Sequence, residues 1–352
     1  MHETELKELA GRTVLVTGGA DLVGGRIAAH LRRLGARPLS PGPLDAHGGH
    51  TCREDPAAVQ QAVAESDYVI HAAALVDAET CTTHPMAVIH ANITATQVLL
   101  DAVAACSRTR RFVFVSSADV YGNGNPEGRA PASSREQYRD VRRLLEAVYG
   151  LVPPQFHENS PLRPMSVYAN TKVWGETQTA LTLGAVQTSY TILRYFSVYG
   201  EPQVVDENTR AGVVARFAAR AALGLPLHLT GGGRRIRDLI HVEDVAAATV
   251  RSLVVPQAHH ETLNIATGTA TSTRTVADLI AAHYPDTRTV ESPPTPADPL
   301  GGYGSTHHTQ SVLGWRATIT LQEGIARYAA WLDRTPEAFP AWLRSESEAA
   351  TA

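Results

Sequence analysis

Several features that would mark particular classes of protein are scarce in this sequence. Its 352 residues include only three cysteines, Cys52, Cys81 and Cys106, without the paired spacing of a metal site or disulfide framework. The 31 basic and 35 acidic residues nearly cancel, and no basic stripe with interleaved aromatics suggests nucleic-acid binding. We see no run of about 18 apolar residues, and the charged start resembles no signal peptide. These absences predict reduced thiols, no metal, no nucleic acid or membrane partner, and a cytoplasmic location.

The chain does contain a regular alternation of short apolar runs and helical segments. Residues 13–16 are apolar and β-rich, and Ile27, Leu31 and Leu34 then recur at helical spacing. Further strands are expected at 68–74 and 111–115, with a long helix at 85–106 between them. Strands that alternate with helices predict an α/β fold, a doubly wound parallel (Rossmann) sheet that binds its ligands at the carboxyl ends of its strands.

The turn after the first strand, Thr17-Gly-Gly-Ala-Asp-Leu-Val-Gly24, is expected to hold a dinucleotide pyrophosphate. A helix N-terminus offers N–H groups and a positive dipole end, and glycines let the backbone approach the phosphates. Asp21 stands where a middle glycine is expected and adds a negative charge. The second strand ends in Leu39-Ser40 without an acid for the adenosine ribose, and Asp45 in the next loop is the nearest substitute.

Tyr168 and Lys172 are four residues apart in a helical stretch, so both side chains leave one face of the helix. A lysine charge beside a phenol can stabilise the tyrosinate, which makes the pair a candidate general base. The same spacing also occurs by chance on amphipathic helices. His71, in the strand before three alanines, is expected to be a buried histidine with satisfied hydrogen bonds rather than a ligand.

Seven motifs in order resemble the extended short-chain dehydrogenase/reductases, the nucleotide-sugar epimerase/dehydratase family, over about residues 12–333. They are Thr17-Gly-Gly, His71-Ala-Ala-Ala, Ser116-Ser-x-x-Val-Tyr-Gly, Tyr168-x-x-x-Lys172, Arg194-Tyr-Phe-Ser-Val-Tyr-Gly, Arg237-Asp-Leu-Ile-His-Val-Glu-Asp and Asn264-Ile-Ala-Thr-Gly. Ser197 departs from the family's usual asparagine, and Gly200-Glu-Pro-Gln203 from its usual Gly-Pro-Arg-Gln.

The resemblance implies roles for individual residues. Ser117 would be the hydroxyl partner, Tyr168 the catalytic base or acid, and Lys172 its partner, while Asp119 is a further catalytic candidate. The implied substrate contacts are Ser117, Tyr168, Ser197 and Arg237. The implied cofactor contacts are Gly18, Ala20, Asp21, Leu22, Val23, Gly24, Ala72, Ala73, Ala74, Asn92, Ser116, Tyr168, Lys172 and Tyr195. The cofactor would be NAD, with NADP not excluded, the substrate a nucleoside diphosphate sugar, and the assembly a homodimer.

The same resemblance suggests a division of the chain. Residues 1–196 and 236–262 would form the dinucleotide-binding domain, and 197–235 with 263–335 a smaller α/β substrate domain. Residues 123–165 read as an inserted helical arm, which is either a surface or dimer element or a wall of the site. Arg234, Arg235 and Arg237 follow a glycine turn, as a diphosphate site would require, or are simply solvated. The residues after Thr335 are expected to be a frayed tail.

The resemblance favours C4 epimerisation through a 4-keto intermediate. A 4,6-dehydratase of this family carries an Asp-Glu pair directly after the hydroxyl residue, where this chain has Ala118 and Asp119. Decarboxylation of a uronic acid and 4-keto reduction remain alternatives, and Asp119 either serves as an acid or bonds the turn before Tyr121. Asp21 and the missing ribose acid also leave open a non-catalytic nucleotide binder.

Overall fold

The computed structural model describes residues 5–40, 55–122, 153–205, 212–293 and 301–351. Asp45 and most of the expected inserted arm lie outside these residues. The strands are β1 Thr13–Thr17, β2 Arg37–Leu39, β3 Tyr68–His71, β4 Arg111–Ser117, β5 Gln155–Phe156, β6 Tyr190–Tyr195, β7 Ser197–Tyr199, β8 Leu227–Thr230, β9 Ile236–Arg237, β10 Leu239–His241, β11 Glu261–Ile265, β12 Thr271–Ser272, β13 Thr289–Ser292 and β14 Tyr303–Gly304.

The helices alternate with these strands through most of the chain. They are α1 Leu22–Arg33, α2 Pro56–Ala64, α3 Ala78–Thr83, α4 Pro85–Ile89, α5 Ala95–Ala104, α6 Val167–Ala185, α7 Val213–Ala222, α8 Val242–Val254, α9 Thr273–Ala281, α10 His307–Leu313, α11 Leu321–Arg334 and α12 Ala341–Thr351. The expected long helix at 85–106 is α4 and α5, which are joined by a π-helical turn at His90–Thr94.

Six strands form one parallel sheet in the order β11-β6-β4-β3-β1-β2. Alternate side chains of each strand point to opposite faces, so Val14 and Val16 pack with α1 and α8, whereas Leu15 packs with α2, α5 and α6. Helices cover both faces, and the doubly wound fold is confirmed. The strand order reverses between β1 and β3, and the carboxyl ends of these two strands are where such a sheet opens a crevice for a ligand.

A second, smaller core lies beyond the carboxyl end of the sheet. Apolar side chains of α7, α9 and α11 pack there against β8, with Phe217, Leu227 and Tyr328 all buried. β11 pairs with β6 along its whole length, so it belongs to the large sheet. The domain boundary expected after residue 262 therefore falls inside this strand and should lie after Ile265.

The sequence predicts a frayed tail after Thr335, and the structure corrects this prediction. Pro336–Ala338 form a 3-10 turn, and α12 follows it. Ala338 and Leu343 are buried in the smaller core, because the apolar residues of this segment complete the surface left open by α7 and α11.

The segment Pro85–Ala104 has the length and composition of a membrane-spanning helix, with a mean hydropathy of 1.3. This segment departs from the expectation that the chain has no membrane-spanning run. Leu99, Leu100 and Val103 from it are buried in the core between the sheet and α2, and this burial accounts for their apolar character.

Candidate active site

The glycine turn between β1 and α1 lies against the end of β3. Gly18 has a φ of +72°, and a Cβ placed on it would lie 2.9 Å from the backbone of Ala73. A Cβ on Gly24 would lie 2.0 Å from the carbonyl oxygen of Gly18. The turn can close this tightly only because both residues lack side chains.

The turn directs the N-terminus of α1 toward the crevice, with Asp21 as the N-cap residue and Leu22 to Gly24 in the first turn. This arrangement fits a dinucleotide pyrophosphate, because the N–H groups of a helix N-terminus attract phosphate. The Asp21 carboxylate does not cap the helix, and its Oδ2 lies near Gly18. Its charge therefore lies beside the turn that phosphates would approach.

Ala72 to Ala74 follow β3, and the backbone of Ala73 lies against Gly18 of the glycine turn. Thr17 Oγ1 accepts a hydrogen bond from Ala73 N and pairs with His71 Nδ1 at 2.8 Å, while His71 Nε2 pairs with Thr96 Oγ1 at 2.8 Å. His71 is thus a buried histidine with both ring nitrogens bonded, as expected. These bonds hold the alanine segment next to Gly18.

Asn92, an expected cofactor contact, hydrogen-bonds to other residues of the protein through its side chain. Its Oδ1 accepts from Leu75 N, and its Nδ2 donates to Leu75 O and Thr171 Oγ1. The buried amide therefore ties the loop after β3 to α6. It acts on the crevice by fixing the position of this loop.

Ser116 and Tyr195 also direct their hydroxyl groups away from the crevice. Ser116 donates to Glu176, and Tyr195 pairs with Thr249 Oγ1. Both residues are almost fully buried. Only their backbones, and the ring of Tyr195 at the cavity wall, remain for a ligand.

Tyr168 and Lys172 lie in the first turns of α6, whose N-cap Ser166 accepts a hydrogen bond from Ala169 N. The ammonium of Lys172 is buried, donates to Val115 O at 2.8 Å and lies 5.7 Å from the centroid of the Tyr168 ring. Both side chains therefore lie on one face, as the spacing predicts.

Ser117 ends β4 and hydrogen-bonds the Tyr168 phenol. Burial raises the pKa of Tyr168 well above its usual value, and the negative charge of Asp119 raises it further, while the Ser117 hydrogen bond lowers it. The serine and the tyrosine therefore form one hydrogen-bonded unit at the carboxyl end of the sheet.

A buried ion pair supports this end of the sheet from behind. The Glu176 carboxylate accepts from Arg194 Nε at 2.9 Å and from Nη2 at 2.7 Å, and both side chains are almost fully buried. Arg194 Nη1 also donates to Tyr121 OH, which in turn donates to Asn264 Oδ1 at 2.7 Å. Burial raises the pKa of Tyr121 to about 12. Three of the sequence motifs thus meet in one network.

A cavity of about 940 Å³ opens between the carboxyl end of the sheet and the smaller core. It brings together the predicted substrate residues Ser117, Tyr168, Ser197 and Arg237, together with Asp119. Its wall also carries residues that sequence reasoning missed, namely Arg216, Arg220, His228, Thr273 and Trp342. The sequence offers only a weak signal for two of them, a pair of arginines four residues apart around Phe217.

Asp119 faces the inside of this cavity. Its side chain is accessible from the cavity, but protein surrounds it, so burial raises the pKa of its carboxyl and the charge of Arg237 opposes this rise. Burial lowers the pKa of Arg237, and Asp119 counteracts that change. The backbone of Asp119 makes the hydrogen bonds of the turn, since its N–H donates to the Ser117 hydroxyl and its carbonyl oxygen accepts from Gly122 N. The carboxyl group itself belongs to the cavity.

Cations outnumber anions along the cavity wall. Arg216, Arg235 and Arg237 line it, whereas Asp119 is the only acidic residue among the described lining residues. Arg220 also lines it and is paired with Glu346. A guanidinium binds phosphate oxygens in a bidentate way, so this wall suits a phosphorylated ligand. Among the described residues, no cluster of three or more histidine, cysteine or acidic residues could hold a metal.

The chain is similar to known proteins along most of its length. A dTDP-L-rhamnose 4-epimerase from Burkholderia thailandensis is 27% identical over 94% of this chain and 98% of its own. A putative UDP-glucose 4-epimerase from Methanocaldococcus jannaschii is 34% identical over 53% of this chain, and the match spans 60% of that relative. Proteins named as dehydratases, decarboxylases and reductases are also similar.

The fold agrees with these sequence matches. The Thermus thermophilus UDP-glucose 4-epimerase, solved as a complex with NAD, superposes with a TM-score of 0.73 at 27% identity and covers 92% of this chain and 99% of its own. The sequence profile of the NAD dependent epimerase/dehydratase family matches residues 14–144 and 146–266. The chain is therefore an enzyme, and it belongs to the NAD-dependent epimerase/dehydratase family.

Proposed function

We propose that this enzyme is a nucleoside diphosphate sugar 4-epimerase. The observation that carries the proposal is the single cavity in which the Ser117–Tyr168 pair and an arginine-rich wall face the same space. A diphosphate held at Arg237 and its neighbours would leave the sugar of the same molecule at the phenol. The similarity to proteins named as 4-epimerases supports the same reaction.

NAD would lie along the crevice, with its pyrophosphate at the turn from Gly18 to Gly24 and its nicotinamide ribose near Lys172. When bound, the nicotinamide would supply the redox chemistry, the reversible transfer of a hydride at C4 of the sugar. The protein does not hold Tyr168 ionised by itself, since burial and Asp119 both favour the neutral phenol. We expect a positive charge brought by the cofactor to lower this pKa in the complete enzyme.

The chain's own residues would then move the proton of the C4 hydroxyl. Tyr168 takes this proton as a general base and later returns it, while Ser117 holds the sugar oxygen and the phenol in one hydrogen-bonded line. Lys172, anchored on Val115 O, holds its amino group on the same face of α6 as the phenol. The apolar walls at Phe196 and Val198 help to exclude water while the 4-keto sugar turns over.

Replacing Tyr168 with phenylalanine tests this assignment. We expect Tyr168→Phe to bind NAD normally and to lose about 10²-fold or more in turnover, because general acid–base catalysis typically contributes about 10²–10⁴-fold. Substrates should include UDP-, dTDP-, GDP- and CDP-sugars and a uronic acid, with products identified by NMR. Near-normal turnover in this variant would refute the mechanism.

Asp119 supports one second candidate, a reaction that needs an extra acid, such as dehydration or decarboxylation. Its carboxyl lies in the cavity, and burial raises the pKa of this group. Ala118 beside it cannot carry a proton, so the acid–base pair of a 4,6-dehydratase is incomplete. We therefore expect a product that keeps its C6 oxygen and gains no deuterium at C5 in D2O. A 4-keto-6-deoxy product would favour the second candidate.

The proposal extends to a cytoplasmic homodimer, which cell fractionation and light scattering of the purified enzyme can test.

A further inference from the structure

The helix α12 contributes to the wall of the cavity from the side of the smaller core. Trp342 in its first turn is half-buried and lines the cavity, and the next residue, Leu343, is fully buried in the smaller core. The Trp342 Nε1–H is buried and has no acceptor among the described residues. The indole is therefore held in the wall by packing.

One turn further along α12, Glu346 fixes the orientation of a cavity arginine. Its carboxylate accepts from Arg220 Nη1 at 2.9 Å and from Nη2 at 2.8 Å, while Arg220 Nε donates to Pro226 O at 2.8 Å. Arg220 Nη2 also lies 3.5 Å from His228 Nε2. The Arg220 hydrogen bonds hold the pKa of Glu346 below its usual value despite some burial, with further help from the charges of His228 and Arg216.

The surroundings of Arg237 and Arg220 in the cavity wall therefore differ in charge. Arg237 lines the cavity with the carboxyl group of Asp119 and the guanidinium of Arg235 close enough to act on its charge. At Arg220 the charge is matched by the bidentate Glu346 carboxylate, on which the charge of Arg216 also acts, and the ring of Trp342, one turn before Glu346, lines the same cavity. A phosphate is attracted to the first environment, whereas a neutral planar group that can stack and accept hydrogen bonds fits the second.

We propose that α12 forms part of the substrate site, with Trp342 as a stacking surface for the nucleobase and Glu346 as a positioning residue that holds Arg220 toward it. The inference rests on the proposed function, because a sugar at Tyr168 and a diphosphate near Arg237 leave the base at the part of the cavity that Trp342 lines. It makes the C-terminal segment a determinant of which nucleotide the enzyme accepts.

The test uses the full chain and measures binding of UDP and dTDP by calorimetry, so that no turnover is needed. We expect Trp342→Leu to weaken binding by about tenfold or more, since stacking of a base on an aromatic ring is typically worth about 1–3 kcal/mol. Trp342→Phe should retain most of the affinity, because it keeps a ring. A tryptophan that only fills space would show equal losses in the two variants, which would overturn the proposal.

Glu346 is tested by a split between kinetic parameters. Glu346→Gln should raise KM for the nucleotide sugar several-fold and leave kcat unchanged. In Glu346→Asp, which keeps a carboxylate, KM should lie between the values of the wild type and Glu346→Gln. Glu337→Gln, in the exposed turn before α12, is the matched control and should behave as the wild type. If the wild type binds UDP or dTDP and both Glu346→Gln and Trp342→Leu bind equally well, the role of α12 is refuted while the proposed function stands. A wild-type enzyme that binds no nucleoside diphosphate refutes both.

Discussion

The buried pair of Glu176 and Arg194 should be one of the most sensitive points for stability. Glu176 accepts two hydrogen bonds from the guanidinium and one from Ser116, and both charged side chains are only 6% exposed. In Glu176→Gln one oxygen becomes an amide donor that faces the N–H groups of Arg194. The variant thus loses the charge and at least one charge-assisted hydrogen bond, which is worth about 1.5–3 kcal/mol.

Breaking a buried pair by removing one partner costs about 3–5 kcal/mol in general, because the remaining charge stays buried. Arg194 keeps its bonds to Tyr121 and to the carbonyl of Glu158, so we expect a loss near the lower bound, about 3 kcal/mol in the free energy of unfolding. Urea denaturation should show a lower midpoint at an unchanged m value.

An exposed pair provides the matched control for this measurement. Glu323 and Arg327 form an i,i+4 pair on α11, with side chains 48% and 42% exposed. Solvent screens such a pair, so Glu323→Gln should cost only about 0.3–0.5 kcal/mol. If the Glu176 variant lost no more than the Glu323 variant, the argument that burial makes the network essential would be refuted.

Three further predictions concern the two ligand sites. Gly24→Ala should weaken NAD binding by more than about tenfold in a calorimetric titration, because its Cβ would lie 2.0 Å from the Gly18 carbonyl oxygen and the turn would have to open. Gly25→Ala is the control in the same titration, because its Cβ would lie 3.4 Å from the nearest atom. Asp119→Asn removes a negative charge that raises the pKa of Tyr168, so the acidic limb of the plot of kcat/KM against pH should move to lower pH. An acidic limb that stays in place would contradict an effect of Asp119 on the pKa of Tyr168. Asp21→Gly removes a negative charge near the pyrophosphate and should tighten NAD binding by about 1 kcal/mol at low salt, whereas weaker binding would mean that Asp21 contacts the cofactor.

Much of the Rossmann half can be predicted from the sequence because its signals are local. The apolar run before Gly18, the helical spacing after it and the four-residue interval between Tyr168 and Lys172 each follow from backbone periodicity within one element. The N-terminus of α2 is also a local signal, because an aspartate directly before a proline is typical of a helix start. Asp55 caps this helix by accepting a hydrogen bond from Ala57 N.

The motif residues that bond within the protein could not be separated from ligand contacts by sequence alone. Asn92, Ser116 and Tyr195 lie in motifs of the family, and each has its polar atoms bonded to a residue far along the chain. A sequence pattern shows that a polar group is present, but its hydrogen-bond partner is decided by which elements pack together.

The sequence by itself determined the doubly wound sheet, the glycine turn after β1 and the placement of Tyr168 and Lys172 on one helix face, since these depend on residues near one another in the chain. Only the tertiary structure decided that Asp119 and Arg237 line one cavity, that Trp342 also lines it, and that Glu346 pairs with the cavity residue Arg220. Glu346 and Arg220 are 126 residues apart, and no local pattern records their contact. Burial in the smaller core brings α12 to the cavity wall, because its apolar side finds a partner surface only after the domain has folded.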